Sequence, residues 1–273
     1  MISFENTEFA FAYKTTKELK KARFLFSSMG IGWLVKLGLR VTPWAIKAHL
    51  PINGLIRNTI FKQFVGGETL QETAKVADKL SHHNVQVILD YGVEGKEGEA
   101  NFDHAADEFI RVIQYAATQR NIPFMSVKVT GFIRFGLLEK LDAAADNRSG
   151  VEARIHSDVL NSAEKEEWQR GVNRLIRICE AAERNNVGVL VDAEETWIQD
   201  PVDAITMQVM ERFNKTKVVV YNTLQLYRHD RLQFLKYSLR EAEQKNFILG
   251  AKLVRGAYME KERKRAGAMG YPS

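Results

Sequence analysis

From residue 84 onward the sequence alternates between short runs rich in β-branched and aromatic residues and longer segments with helical periodicity. Each run is bounded by turn-forming or polar residues, and each is followed by apolar residues recurring at the spacing of a helix face. The five predicted strands are residues 84–91, 123–132, 187–191, 216–221 and 248–254. Strands that alternate with helices predict an α/β fold with a parallel sheet and right-handed crossovers.

Two parallel folds compete for this pattern. A doubly wound dinucleotide-binding sheet requires G-x-G-x-x-G after its first strand, and the sequence after residue 91 has no such motif. A (β/α)8 TIM-type barrel collects its functional side chains where the strands end. Polar residues do occur at the five predicted strand ends, namely Asp90, Lys128, Asp192, Gln225 and Lys252. The sequence therefore predicts a barrel.

The predicted barrel is incomplete. Closure needs eight βα units, whereas the pattern accounts for five before the last residue, Ser273. An unclosed parallel sheet leaves apolar edges. We therefore expect residues 81–273 to be a partial catalytic barrel, truncated at the C-terminus, from the N-terminal portion of a longer protein.

Residues 1–80 are predicted to form a helical arm that precedes the barrel. Thr15 with Glu18 has the spacing of a capping box, and Thr69 with Glu72 predicts a second helix start. Residues 17–47 are basic and apolar at helical spacing. Such a segment either packs on a core or lies on a membrane or partner.

Charge and cysteine content limit the location and partners. The net charge of +5 is spread along the chain, which does not favour nucleic acid as a partner. The single cysteine, Cys179, excludes an internal disulfide and indicates a reducing compartment. The start of the chain lacks a basic secretory n-region. A cytoplasmic protein, with peripheral contact to the inner membrane as an open alternative, is predicted.

Three segments carry candidate chemistry, and Lys128 and residues 192–195 belong to the first two. Lys128 lies in an apolar run, so it is either paired inside the barrel, a binder of a substrate carboxylate, or a Schiff-base nucleophile. Residues 192–195, Asp-Ala-Glu-Glu, follow a predicted strand. No His-x-His or His-Glu-x-x-His motif accompanies them, so no metal site is predicted.

The third candidate segment is residues 249–265. It predicts a short buried strand with Lys252 and Val254 on one face and Leu253 on the other, then a turn at Gly256 and a helix from Glu260. Cations and a tyrosine at a strand end are typical of an anion-binding site. Solvated side chains at the end of a strand are the alternative.

Several segments, in order and spacing, resemble the proline dehydrogenase family, and more closely its stand-alone members. The resemblance covers essentially the whole chain. It is carried by residues 252–258 (Lys-Leu-Val-Arg-Gly-Ala-Tyr) with Glu262-Arg263, and by 12–14, 18–22, 64–68, 127–130, 192–195 and 221–225.

The resemblance implies a distorted barrel that binds FAD noncovalently and oxidises L-proline to 1-pyrroline-5-carboxylate, passing electrons to a membrane quinone. Lys128 matches the lysine that holds the substrate carboxylate, Asp192 the active-site aspartate, and Gln225 a residue that contacts the flavin. Lys252 matches a basic position near flavin N5 that is Arg in other members, and Arg255 shows the reverse exchange. The other implied site residues are Val254, Gly256, Ala257 and Tyr258.

The family's last helix supplies arginines and tyrosines that clamp proline, and they have no counterpart here. The fragment alone is therefore expected to bind FAD poorly and to turn over little proline. Two alternatives stay open: a Schiff-base aldolase using Lys128 or Lys252, and a non-catalytic basic module that binds membranes or nucleic acid.

Overall fold

A computed structural model describes residues 5–92, 97–144 and 155–272 of the chain. The chain forms two compact units, Met1–Gln86 and Val87–Ser273. The sequence predicts the boundary between the helical arm and the barrel at residue 80.

The first unit is built from helices. Both predicted caps are present in it: the Thr15 hydroxyl accepts the N–H of Glu18, whose carboxylate accepts the N–H of Thr15, and Thr69 accepts the N–H of Glu72. The helices are α1 Thr7–Ala10, α2 Thr16–Met29, α3 Gly32–Lys47, α4 Asn53–Ile56, a π-helical turn Arg57–Phe61, α5 Lys62–Phe64 and α6 Leu70–Ser81.

Taken singly, none of the helices in the described residues has the length and apolar character needed to cross a bilayer. The pair α2 and α3, bent by 93° at the break between them, meets the length and composition requirements when taken together.

The second unit alternates strands and helices. Its strands are β1 Ile88–Asp90, β2 Phe124–Val127, β3 Gly188–Val191, β4 Val220–Gln225 and β5 Ala251–Val254. Its helices are α7 Glu99–Ala117, α8 Phe135–Ala144, α9 Ser162–Asn185, α10 Gln199–Phe213, α11 Arg231–Gln244 and α12 Met259–Met269, with 3-10 turns at Val129–Gly131, Ser157–Val159 and Thr196–Ile198.

The five strands form one parallel sheet in the order β1-β2-β3-β4-β5. Each strand therefore pairs with the next one along the chain, as in a (β/α) barrel, whereas a doubly wound sheet reverses its order near the middle. The predicted barrel-type α/β architecture, with five βα units, is confirmed.

The core lies between the sheet and the helices that cover its outer face. Met125, Val127, Val189 and Val191 are fully buried against these helices. The single cysteine, Cys179 on α9, is buried here with a free thiol, and burial raises its pKa. Because side chains alternate along a strand, the residues between these apolar ones point to the opposite face of the sheet, which is called the inner face below.

Strand β2 is shorter than predicted. It ends at Val127, and the chain then forms the 3-10 turn Val129–Gly131, in which the Gly131 N–H donates to the Lys128 carbonyl at 3.0 Å. The sequence predicts strand as far as residue 132, whereas the structure buries Val129 and Phe132 in and after this turn. Lys128 consequently follows the strand instead of lying inside it.

Strand β4 begins later than predicted. The Asn214 side-chain carbonyl accepts the N–H groups of Val219 and Val220, each at 2.9 Å. These two donors therefore bond to a side chain and not to a neighbouring strand. The ladder runs from Val220 to Gln225, and residues 222–225 lie within the strand instead of after it.

Strand β5 is not buried on both faces. Within the described sheet it is an edge strand paired only with β4, and Leu253 is 60% exposed. Lys252 and Val254 are half-buried on the opposite face. The prediction of a buried strand over 248–254 is therefore wrong for its outer face.

Candidate active site

Functional side chains gather where β2 and β3 end and on the neighbouring inner face of β5. Lys128 directly follows β2 and Asp192 directly follows β3, where the Asp192 N–H donates to the Val127 carbonyl at 2.9 Å. Lys252 lies within β5, in register with Thr223 of β4. Parallel strands bring these positions to one edge because their carboxyl ends point the same way.

These side chains surround a cavity of about 280 Å3. Six of the residues singled out from sequence line it, and two further lining residues are Thr223 and Ala193. The six are Lys128, Asp192, Lys252, Val254, Ala257 and Tyr258. The structure thus brings together most of the predicted site.

Two of the residues that line the cavity, Lys252 and Asp192, form an ion pair with each other. The Lys252 ammonium group donates to Asp192 Oδ1, and the hydroxyl of Ser126 donates to the same oxygen at 2.8 Å. Asp192 is mostly shielded from solvent, and the side chain of Lys252 is 30% exposed. Because the pair is partly buried, solvent and salt screen it less than an ion pair at the surface.

The other two carboxylates of the Asp-Ala-Glu-Glu segment point elsewhere. Glu194 is buried and accepts hydrogen bonds from the Thr130 N–H at 3.1 Å and the Thr130 hydroxyl at 2.5 Å. Glu195 forms an ion pair with Lys261 of α12 at 2.5 Å. Of the three acids, only Asp192 lines the cavity.

Gln225 is buried and is not among the residues that line the cavity. Its Nε2 donates to the Glu194 carbonyl at 2.6 Å, and its side chain also hydrogen-bonds with Tyr227. Burial raises the pKa of the Tyr227 hydroxyl, while hydrogen bonds with the Tyr258 backbone and the Gln225 side chain oppose this rise. Gln225 therefore links the end of β4 to Glu194, which follows β3.

Two predicted site residues lie in the turn after β5 and outside the cavity lining. Gly256 has φ +66°, a left-handed conformation that strains other residues. Arg255 is exposed. Next to them, Tyr258 lines the cavity, and the Lys261 ammonium group lies 5.0 Å from the centre of its ring.

Sequence reasoning missed Ser126 and Thr223. Both are buried, and the Thr223 hydroxyl donates to the Val191 carbonyl at 2.7 Å. Each stands two residues before a predicted site residue, Lys128 or Gln225, and so faces the same side of the sheet. The two-residue repeat of a strand is therefore the sequence pattern that could have identified Ser126 and Thr223.

Sequential parallel βα units with charged side chains at their carboxyl ends define a barrel-type α/β protein with an active-site candidate at the strand ends. The family model for proline dehydrogenase matches residues 73–273. The chain belongs to the proline dehydrogenase family.

Two curated relatives each match more than three quarters of the chain. The chain is 35% identical over 207 residues to the carbapenem antibiotics biosynthesis protein CarD of Pectobacterium carotovorum, covering 76% of this chain and 51% of that protein. It is 31% identical over 242 residues to mitochondrial proline dehydrogenase 1 of Dictyostelium discoideum, covering 79% of this chain and 42% of that protein. The chain thus spans about half the length of these curated relatives.

A solved structure shares the fold. The crystal structure of proline utilization A from Bdellovibrio bacteriovorus, inactivated by N-propargylglycine, matches with a TM-score of 0.62 and 18% identity. The match covers 97% of this chain and 27% of that one. At this identity the likeness supports the fold alone.

Proposed function

We propose that the chain carries the catalytic barrel of an FAD-dependent proline dehydrogenase. Its reaction would be the oxidation of L-proline to 1-pyrroline-5-carboxylate, the first step of proline catabolism to glutamate, with electrons passed to a membrane quinone. The observation that carries the proposal is the meeting of Lys128, Asp192 and Lys252 around one cavity in a chain of this family. Family membership favours this reaction over a Schiff-base aldolase or a non-catalytic basic module.

The residues present fit a flavin. The Lys252 ammonium group belongs to the residues that line the cavity, and a cation there suits a flavin ring, which gains negative charge on reduction. The groups that would hold it are Gln225, Lys252, Val254, Arg255, Gly256 and Ala257. When bound, the flavin would supply the hydride acceptor.

The remaining site residues would bind and orient proline. The Lys128 ammonium group would bind the substrate carboxylate, a charge-assisted contact that fixes one end of the molecule. Asp192 would hold Lys252 in place through their ion pair, and Tyr258 would close the side of the cavity that it lines. Orienting a small substrate in this way contributes several kcal/mol to lowering the barrier.

Replacement of Lys128 tests the substrate-binding role. In a flavin-loaded protein that contains this chain and oxidises proline, Lys128→Ala should raise the KM for proline by roughly 10- to 100-fold, because a charged hydrogen bond contributes about 1.5–3 kcal/mol. The measurement is proline-dependent reduction of a quinone analogue. Lys236→Ala, which removes an exposed lysine of α11, is the matched control and should leave KM unchanged. An unaltered KM in Lys128→Ala would contradict the assignment.

The electron route to a quinone requires access to a membrane, and the first unit carries a suitable surface. Between Glu18 and Glu68 the sequence has lysines and arginines but no acidic residue. In α2 and α3 large apolar side chains are exposed, among them Phe24, Trp33, Leu39 and Trp44. Basic, apolar helices of this kind bind at the surface of bilayers that carry anionic lipid. We assign peripheral membrane contact to residues 17–47.

A vesicle-pelleting assay tests this contact. Leu39 is 72% exposed on α3, and Leu232, on α11 of the second unit, is 61% exposed. Leu39→Glu should reduce pelleting with anionic vesicles severalfold, because a carboxylate is repelled by the lipid and the apolar contact is lost. Leu232→Glu is the control and should pellet like the unaltered protein. Equal pelleting of all three proteins would remove the membrane assignment.

A further inference from the structure

Ser126 is a buried residue of β2 that the proposed reaction does not use. Its hydroxyl donates to Asp192 Oδ1 at 2.8 Å and lies 3.5 Å from the Lys252 ammonium nitrogen, which pairs with the same carboxylate oxygen. The three groups come from β2, the end of β3, and β5. Since β2 and β5 are not neighbours in the sheet, Lys252 reaches across its inner face to meet them.

The three contacts form a closed ring of hydrogen bonds. A serine hydroxyl has one donor and two acceptor sites. Here it donates to the carboxylate and turns its acceptor side towards the ammonium group. Lysine has four rotatable side-chain bonds, and holding it in one rotamer costs about 1.5–2 kcal/mol. The second contact, with Ser126, therefore helps to fix the position of the Lys252 ammonium group in the cavity.

We propose that Ser126 is a positioning residue, which fixes the Asp192 carboxylate and through it the Lys252 ammonium group at the cavity wall. Ser126 acts through these partners and does not itself line the cavity. The importance of this position for the reaction rests on the proposed function, in which Lys252 lies beside the flavin. The positioning itself can be tested without flavin.

The test is competitive acylation of lysines in the flavin-free chain, read by mass spectrometry. Lys252 is partly accessible, and its reactivity should be low while the ring of contacts holds it. Ser126→Ala should raise Lys252 labelling about fivefold, since a hydrogen bond to a charged group is lost. Asp192→Asn, which removes the ion pair, gives the upper reference. Labelling of exposed Lys236 normalises the samples.

Two variants guard against a general loss of structure. Ser238→Ala changes another buried serine, whose hydroxyl has no partner among the described residues, and should leave Lys252 labelling unchanged. Ser126→Cys keeps a weak donor of similar size and should give an intermediate value, which keeps the test decisive if the alanine variant does not fold. Wild-type labelling of Lys252 in both Ser126 variants would overturn the proposal, as would a rise of equal size in Ser238→Ala.

A second readout separates this proposal from the proposed function. In flavin-loaded protein, Ser126→Ala should make the flavin midpoint potential more negative, because a cation beside the ring is less well placed. If labelling rises and the potential does not move, the positioning role stands and the placement of Lys252 beside the flavin fails. If labelling does not rise, the positioning role fails, whatever the potential does.

Discussion

Glu194 shows how one buried residue supports the site without lining it. Its carboxylate is held by Thr130, its N–H donates to Gln199 at 2.9 Å, and its carbonyl accepts from Gln225 at 2.6 Å. The residue therefore joins the turn after β2 to the end of β4. A change in its charge is expected to affect Gln225, which is hydrogen-bonded to its carbonyl.

Burial raises the pKa of Glu194 to about 7, and the neighbouring charge of Glu195 adds to this, while Thr130 and Lys128 oppose it. The folded protein therefore binds this proton more tightly than the unfolded chain, whose pKa is near 4.5. The cost of ionising Glu194 in the fold is absent below about pH 4.5 and grows as the pH rises towards 7. Above about pH 7 the full cost of ionising Glu194 is present.

Glu194→Gln should remove this cost. At pH 8 we expect the free energy of unfolding to rise by about 1–3 kcal/mol relative to the unaltered protein, with little difference at pH 4.5. Urea unfolding at both pH values measures it. Glu243→Gln, at an exposed position of α11, is the control and should show no pH-dependent gain. A gain in Glu194→Gln that is the same at both pH values would contradict the proton linkage.

The sequence identified which residues lie near the cavity but not every direction in which they point. Lys128, Asp192 and Lys252 were predictable because polar side chains after apolar strands are conspicuous. Simple alternation along an extended chain would point Glu194 in the same direction as Asp192. The structure instead turns Glu194 to Thr130, a contact between residues 64 apart in sequence. A contact between residues so far apart produces no periodic pattern in the sequence, so it could not be predicted from the sequence.

At the scale of elements, close approach of backbones sets where β5 lies. A Cβ atom added to Gly250 would come within 2.3 Å of the Val220 carbonyl oxygen, which is backbone and cannot move aside. The Gly250 carbonyl also accepts the N–H of Asn222 at 3.0 Å. The start of β5 therefore tolerates no side chain where it meets β4.

Gly250→Ala should lower the free energy of unfolding by about 2–4 kcal/mol, the range for forced backbone shifts and overpacking. Gly267 on α12 is the matched comparison, because a Cβ there meets nothing within 4 Å. Gly267→Ala should raise stability by about 0.5–1 kcal/mol through helix propensity. Chemical denaturation of the two variants gives both values, and effects of equal sign would show that the described β4–β5 contact is wrong.

The existence and order of the elements could be predicted, and their ends could not. Caps at Thr15 and Thr69 involve residues three apart, so the sequence contains both partners. The start of β4 depends on Asn214, whose amide also donates to the Ile248 carbonyl at 2.9 Å. Likewise, the end of β2 depends on a turn that buries Val129. Such boundaries follow from tertiary contacts.

At the scale of the whole chain, the two units differ in how much they bury. Among the residues of 5–86 whose burial is described, only Ala45 and Ala77 are buried. The second unit buries complete side chains such as Phe109, Leu175 and Phe234. Helices with little tertiary packing are marginal in water, because propensity alone barely offsets chain entropy. We expect the first unit to open locally far more often than the second.

Amide hydrogen exchange measured by mass spectrometry checks this difference. Peptides from α2 and α3 should exchange at least about 100-fold faster than those from β2–β4, which open only with the global unfolding of their unit. Helix α9 is the internal control, since it is equally solvent-facing on one side but buries residues such as Leu175 and Cys179, and it should exchange slowly. Anionic vesicles should then slow exchange in residues 17–47 and leave α9 unchanged. Slow exchange of α2 and α3 without vesicles would show that these helices are covered in solution, and the membrane assignment would lose its physical basis.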